Sequence, residues 1–464
     1  MRSPPFSNPP LPSMQPLALI LIAILPIFAL ATASPSRTTS NEQAQILPRP
    51  LRILVRSGWH VANIGDIAHT TGFLGLLKTH APGTEAILWP VNIGGEVEPM
   101  IRHYFPDTKI VRGGIGPDGM PNTDELREAF STADIFVYNS APDISRSDNF
   151  NAWHRFTNGK PYVIFGATID RESALARHAK TSSDLTPDER RFLDHASAIY
   201  TRETASLDYI RRQGVNAPVI GMTPDAVFAV RQYDTPRAEA WLRARGLSPG
   251  RYICAIPRLR LTPFYLVNNR LPSPSDRERI RYNVESAETD LGKMRDVITR
   301  WIRETGLPVV LVPEITYEIG LAREEIIDRL PPDAKPYVVW RDTFWLPDEA
   351  AAVYRDAIAL LSMDCHSPII AAAAGTPALY LRTPMETGKV HMWNDLGLGD
   401  RMFDIETASA NAIAEALLAL HRNPESARSR IQATMTTVNR MQIEALRTVL
   451  DAAARPSAPG NPTR

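Results

Sequence analysis

From Leu51 onward the chain alternates short apolar runs with longer amphipathic ones, and that alternation constrains the fold more than any other feature. LRILV, EAILWP, DIFVY, PYVIF and AIYTR read as buried strands, while TDELREAF and TASLDYIRRQG read as helices between them. Strands separated by helices pair in parallel as βαβ units. A charged helical link, TPRAEAWLRARG, comes after Asp225. The pattern then resumes with RYICAIP, LPVVLVP, PYVVW, AIALLS and PALYL, and closes on the helical stretches NAIAEALLALHR and SARSRIQATMTTVNRMQIEALRTVLDAAA. The predicted fold class is α/β: two doubly wound Rossmann-like domains facing a cleft, with the first over 51–232 and the second over 233–455. Ligands of open parallel sheets bind beyond the carboxyl ends of the strands, so the cleft is the expected site.

A chain of 464 residues exceeds one ordinary core, which agrees with two domains. Lys+Arg and Asp+Glu both total 51, so the formal charge is zero and no basic stripe for nucleic acid stands out. The run LALILIAILPIFALA (17–31) follows Arg2 and precedes the small residues Ala31-Thr32-Ala33. It is short for a bilayer span and interrupted by Pro26, so residues 1–33 are expected to be a secretory signal, with an uncleaved anchor as the alternative. Residues 34–50 read as a polar linker and 456–464 as a disordered tail. An exported protein permits a bridge between Cys254 and Cys365, but each lies beside an apolar strand and is more readily a buried thiol.

Three segments carry candidate chemistry. LRILV runs into RSGWHVANIGD and then a helix, where Asn63 can cap the start and Asp66 sits in the first turn. Gly65, Ala68, Gly72 and Gly75 recur at three- and four-residue steps, a face expected to let the helix approach a sheet closely. His60 and Trp59 offer an acid/base group and a stacking surface, or are plain loop residues. In AIYTRETASLDYI, Arg202 reads as one member of a surface ion pair of little energetic consequence. In SMDCHSPIIAAAAGTP, a strand ends at Ser362 and a helix is expected near Ser367-Pro368, with Ser367 as its cap. His366 then stands at a strand's carboxyl end beside a helix N-terminus, where positive potential attracts an anion and favours a neutral imidazole.

These segments together resemble the polysaccharide pyruvyl transferase family. Gly58, Asn63, Gly65 and Asp66 match the family's opening loop, and Arg202, Glu203, Ser206 and Asp225 match its middle. His366, Gly375-Thr376-Pro377 and Lys389 match its later part, so the resemblance spans roughly Leu51 to Asp404. It implies a GT-B-like glycosyltransferase architecture and transfer of a pyruvyl group, from phosphoenolpyruvate if the family activity is kept, to a sugar of a polysaccharide. No cofactor and no metal are expected, and the partner is a glycan. On this reading His366 and Asp66 are catalytic, Arg258, Lys389 and Arg260 bind the anionic donor, and Asn63, Gly65, His60 and Trp59 meet the acceptor.

Two positions depart from the family. Asp364 stands where an arginine is typical, and Pro313-Glu314 replaces Pro-His. Exchanging a bidentate anion binder for a carboxylate should weaken donor binding unless Arg258, Arg260 or Lys389 substitutes. The alternative function is an exported carbohydrate-binding protein with a degenerate transferase site. A metal hydrolase is disfavoured, since neither HExxH nor a Cys/His cluster occurs.

Overall fold

The computed structural model describes residues 49–455 apart from 170 and 179–181. The predicted signal (1–33), the tail (456–464) and nearly all of the linker lie outside the described residues. Arg49, at the linker's end, is hydrogen-bonded to Asp134.

Two parallel sheets carry the fold. The first holds β1 (Leu51–Ser57), β2 (Thr84–Pro90), β3 (Lys109–Ile110), β4 (Ile135–Asn139), β5 (Tyr162–Ala167), β6 (Ala198–Thr201) and β7 (Ile220–Met222), in the order β3-β2-β1-β4-β5-β6-β7. The second holds β8 (Ile253–Ile256), β9 (Val309–Leu311), β10 (Val338–Trp340), β11 (Leu360–Ser362), β12 (Ala378–Arg382) and β13 (Met402–Asp404), in the order β10-β9-β8-β11-β12-β13. Every predicted strand is present, and the apolar runs are buried on both faces because helices cover each side. The edge strands β3, β7 and β13 are two or three residues long, too short to give an apolar run in the sequence.

Strand order reverses between β1 and β4 in the first sheet and between β8 and β11 in the second. These are the topological switch points, where adjacent connections leave in opposite directions and open a crevice. Three helices meet at that crevice, α1 (Ile64–His80), α3 (His366–Ala373) and α4 (Pro424–Ala454), while α2 (Pro274–Thr305) covers one face of the second sheet. The start of α4 packs Ile431 and Val438 into the core around β8 and β11, and its end packs Ala445, Leu446 and Val449 against Ile53 and Val55 of β1. One helix thus buries apolar surface against both sheets.

The glycine face of α1 does approach its neighbours closely, but the neighbours are not the sheet that the spacing suggested. A Cβ on Gly72 would lie 2.0 Å from the carbonyl oxygen of Ala226, and one on Gly65 would lie 2.2 Å from Nδ1 of His366. The small residues therefore admit the Ala226–Ala229 turn and the start of α3.

Candidate active site between the two sheets

The loops after β1 and β9 meet directly. Asn63 and Ile315 form an antiparallel bridge, Ile64 N donates to Glu314 O at 2.9 Å, and Thr316 N donates to Ala62 O at 3.0 Å. Asn63 also caps α1, its Oδ1 accepting from Gly65 N at 2.8 Å. Because these backbone groups pair across the crevice, the start of α1, which carries Asp66, is held against the loop carrying Glu314.

A cavity of about 180 Å³ opens there, lined by His60, Asn63 and Asp66 after β1, by Arg258 after β8, and by Asp364, His366 and Lys389 after β11 and β12. His69 and Arg202 complete its floor. Six of the nine predicted site residues thus come together at the paired switch points.

His366 is the best-defined group. Its Nδ1 lies 2.9 Å from Oε1 of Glu314, whose Oε2 accepts from Ser367 N at 2.5 Å. Both side chains are buried, and Nε2 of His366 has no hydrogen-bond partner. With the carboxylate accepting the Nδ1 proton, Nε2 keeps an unshared lone pair. Burial, followed by the charges of Lys389 and His69, pushes the imidazole down to about 3, so it is neutral through the physiological range. Burial leads, which amends the sequence reading that credited the helix N-terminus. The helix itself begins at His366, two residues earlier than a cap at Ser367 would place it, and Ser367 is no cap. The anion at its N-terminus is the protein's own Glu314.

Arg202 does not form the surface pair its sequence context suggested. It is buried, with Nη1 donating to Asp225 Oδ2 at 2.7 Å and Nε to Thr168 Oγ1 at 2.6 Å. His69 Nε2 lies 3.2 Å from the same Asp225 oxygen, and the His69 and His366 rings meet edge-on with centroids 5.0 Å apart. Against burial, which would raise it, His69 and Arg202 hold Asp225 far below the usual carboxylate range. His69, Asp225 and His366 offer atoms within 4.8 Å of one another, a spacing open to a metal ion. A dication on that oxygen would stand against the Arg202 guanidinium, so the local charge disfavours it.

Arg258 donates from Nη1 to Asp364 Oδ1 at 2.7 Å, within a buried carboxyl group that also includes Glu314 and Glu318. Burial raises Asp364, with Arg258 opposing. Lys389 donates no hydrogen bond among the described residues. Burial works against its charge, yet the Cys365 sulfur, Glu386 and Asp364 hold it above the usual lysine range.

Three predicted residues lie elsewhere. Arg260 grips Asp290 with two hydrogen bonds of 2.6 and 2.8 Å and reaches Glu406 at 2.7 Å, so its donors are spent on structure. Trp59 packs edge-on against Tyr138 and donates to Asn139 O, turned into the first core and away from a sugar. Gly65 is covered by the His366 ring, which it seats. At the cavity mouth, His60 accepts from Ala62 N and donates to Asn268 Oδ1, which fixes its tautomer. Cys254 and Cys365 are both free and buried, with burial pushing the Cys365 thiol up to about 12.

His69 and the Glu314 partnership were not visible in the sequence. A histidine mid-helix has no local signature, and Glu314 read only as a departure.

Two doubly wound parallel sheets that meet at their switch points over a polar cavity define a GT-B-type, two-domain Rossmann-like protein. The chain belongs to the polysaccharide pyruvyl transferase family, whose model matches residues 138–383, more than half of its length. Arg202, Asp225, Arg258, Glu314, Asp364 and His366 lie inside the matched residues; the first loop and Lys389 lie outside. The fold is shared with a protein assigned as UDP-N-acetylglucosamine 2-epimerase from Listeria monocytogenes (TM-score 0.53, 11% identity, 88% of this chain and 99% of that one). It is shared also with UDP-GlcNAc 2-epimerase from Neisseria meningitidis bound to UDP-GlcNAc (0.50, 10%, 86% and 100%) and with UDP-N-acetylglucosamine 2-epimerase from Rickettsia bellii (0.50, 13%, 87% and 97%). No curated protein matches the chain in sequence.

Proposed function

We propose that this transferase-family protein moves a pyruvyl or related acidic group onto a sugar of a polysaccharide, with the cavity between the sheets as its active site. The observation that carries this reading is the unpaired Nε2 of His366, buried at the switch point of the second sheet and backed by Glu314. A neutral imidazole with an unpaired Nε2 can take the proton from an attacking sugar hydroxyl and return it to a leaving oxygen. Lys389 faces the donor's negative charge, and Asp66 and Asn63 sit where acceptor hydroxyls would be held. No metal or organic cofactor enters this scheme.

The segment 17–31 supports export, so the acceptor would be a glycan outside the cytoplasm. Among the described residues no helix is long and apolar enough to cross a membrane. N-terminal sequencing of the mature protein tests export independently of activity.

The reaction is tested by incubating the protein with pyruvyl donors and polysaccharide acceptors while following the ketal methyl signal by NMR. Product that disappears with His366→Ala supports the reading. Unchanged product formation in that variant removes the imidazole from the chemistry, and no product with any donor and acceptor pair leaves only the shared fold.

A further inference from the structure

Arg56, one residue from the end of β1, lies in register between Trp89 of β2 and Tyr138 of β4 and shares a sheet face with Leu54. The helix Ser147–Thr157 covers that face, its Phe150 and Trp153 entering the same core as Leu54. The guanidinium is buried with its carbon 4.0 Å from the centre of the Trp89 ring, and Nη1 donates to Trp89 O at 3.2 Å and Pro90 O at 2.8 Å. Its Nε is buried without a partner, and among the described residues Arg56 forms no ion pair. The buried Arg202, Arg260 and Arg341 each hold a carboxylate, at 2.7, 2.6 and 2.6 Å. A buried cation without a counter-ion is costly, and a bound anion offsets that cost.

The start of the same helix supplies the rest of an anion site. Its N-cap is Arg146, whose side chain makes no cap hydrogen bond, so no side chain closes the first turn. Arg146 is half-buried and forms no ion pair among the described residues. Burial, followed by the charge of Arg146, pushes the Arg56 guanidinium down to about 10, so the two cations face one space. The carboxylates of this loop, Asp143 and Asp148, are exposed and accept from Ser145 N and from Asn149 Nδ2. Water and salt screen them, whereas the buried guanidinium is poorly screened.

We propose that Arg56, Arg146 and the first turn of the helix Ser147–Thr157 form a second ligand site, which holds a phosphate group, free or carried on a sugar. Neither arginine lines the cavity that contains His366, and the site is independent of the reaction proposed there. Two guanidinium groups and the amides of a helix start offer donors to several oxygens of one tetrahedral anion, at the switch point where doubly wound sheets bind ligands. The same helix lines a groove of about 660 Å³ with Asp148, Asn151 and Arg155, facing Ile115 and Arg191. That groove gives room for a sugar attached to the phosphate.

The test is calorimetric titration of the full chain with inorganic phosphate, with glucose 1-phosphate and with glucuronate. Wild-type protein is expected to bind a phosphate ligand about tenfold more tightly than glucuronate, and whichever of the two phosphates binds better identifies a free or a sugar-borne group as the source. Arg56→Gln and Arg146→Ala are each expected to weaken that binding by about tenfold. Arg146 lies outside the core, so its variant decides the matter even where Arg56→Gln does not fold. Phosphate binding that is unchanged in Arg146→Ala, or that is lost only in Lys389→Ala, assigns the anion elsewhere and overturns the site. Glucuronate binding as tightly as either phosphate ligand overturns the ligand class. Failure of all three to bind overturns the proposal and leaves the cavity around His366 untouched.

Discussion

Glu314 Oε1 lies 2.9 Å from His366 Nδ1, joining the loop after β9 to the start of α3. A carboxylate behind an imidazole sets which nitrogen carries the proton and holds the ring against rotation. Glu314 is therefore a positioning residue, acting through His366. Glu314→Ala should lower kcat by roughly 100-fold with KM changed far less, since an interaction that matters mainly in the transition state is lost. Glu314→Gln keeps an oxygen for one donor and should recover part of that loss. Steady-state kinetics of the two variants check this: equal kcat in wild type and Glu314→Ala would show that the pair is only structural.

Gly65 and His366 share one space. A methyl group on Gly65 would fall 2.2 Å from Nδ1 and 2.5 Å from Cβ of the histidine, inside any tolerable contact. Either α1 or the ring must shift, breaking the Glu314 hydrogen bond. Gly65→Ala should destabilise the fold by about 1–3 kcal/mol, as overpacking does, and should lower activity as His366→Ala does. Thermal unfolding and turnover measured together test it; an unaltered variant in both would mean that the two elements are not in contact.

Burial of His366 has a consequence for acid stability. In the unfolded chain this ring protonates near 6.5, whereas the folded one resists until about 3. Below 6.5 the unfolded state binds more protons, so stability that is complete above that pH drains away as pH falls toward 3. Between pH 7 and pH 4 this one group should account for roughly 3 kcal/mol. His366→Gln does not titrate, so its unfolding free energy should fall by correspondingly less over the same interval. Urea titrations at the two pH values supply the comparison, and parallel losses in both proteins would contradict the burial argument.

The legible and illegible parts of this molecule divide along a physical line. His366, Arg258, Asn63 and Asp66 could be placed because each follows an apolar run, and the carboxyl ends of parallel strands converge by topology alone. Arg260 follows the same strand as Arg258, yet its fate depends on Asp290 in the middle of α2 and on Glu406, partners thirty and more residues away with no local mark. Arg202 looked like a surface cation for the same reason: Asp225 and Thr168 bury it from separate segments. Trp59 turned inward because Tyr138 and the Asn139 carbonyl offer it an apolar face and a hydrogen bond together. Strand positions were readable from local pattern; ion-pair partners required the fold.

Arg260 and Lys389 should separate cleanly in experiment. Both were candidate anion binders, but only Lys389 lines the cavity, while Arg260 ties α2 to the loop after β13 through Asp290 and Glu406. Arg260→Ala strands the buried Asp290 and should destabilise by about 2–4 kcal/mol, with the folded fraction retaining its turnover. Lys389→Ala should do the reverse, losing ligand affinity with a small change in stability. Chemical denaturation paired with kinetics distinguishes them, and a loss of turnover in well-folded Arg260→Ala would return that residue to the site.

Glu318 gives a prediction of opposite sign. Its carboxyl is fully buried, with Oε2 accepting from Glu314 N at 2.7 Å and Ile315 N at 3.0 Å while Oε1 has no partner. Burial first, then the neighbouring Asp364 and Glu314 carboxylates, push it well above the usual range, so the folded side chain keeps a proton that the unfolded one sheds above its ordinary 4.5. Its contribution is complete below that pH and is lost as pH rises toward the folded value, so at neutral pH Glu318 weakens the fold. Glu318→Gln retains an oxygen for both amides and carries no charge in either state. It should therefore be more stable than wild type at pH 7.5 by about 1–3 kcal/mol, with the gain vanishing near pH 4.5. Unfolding free energies at these two pH values decide it: a variant no more stable at pH 7.5 would mean that the carboxylate is compensated by its surroundings and that the acidic cluster is not under strain.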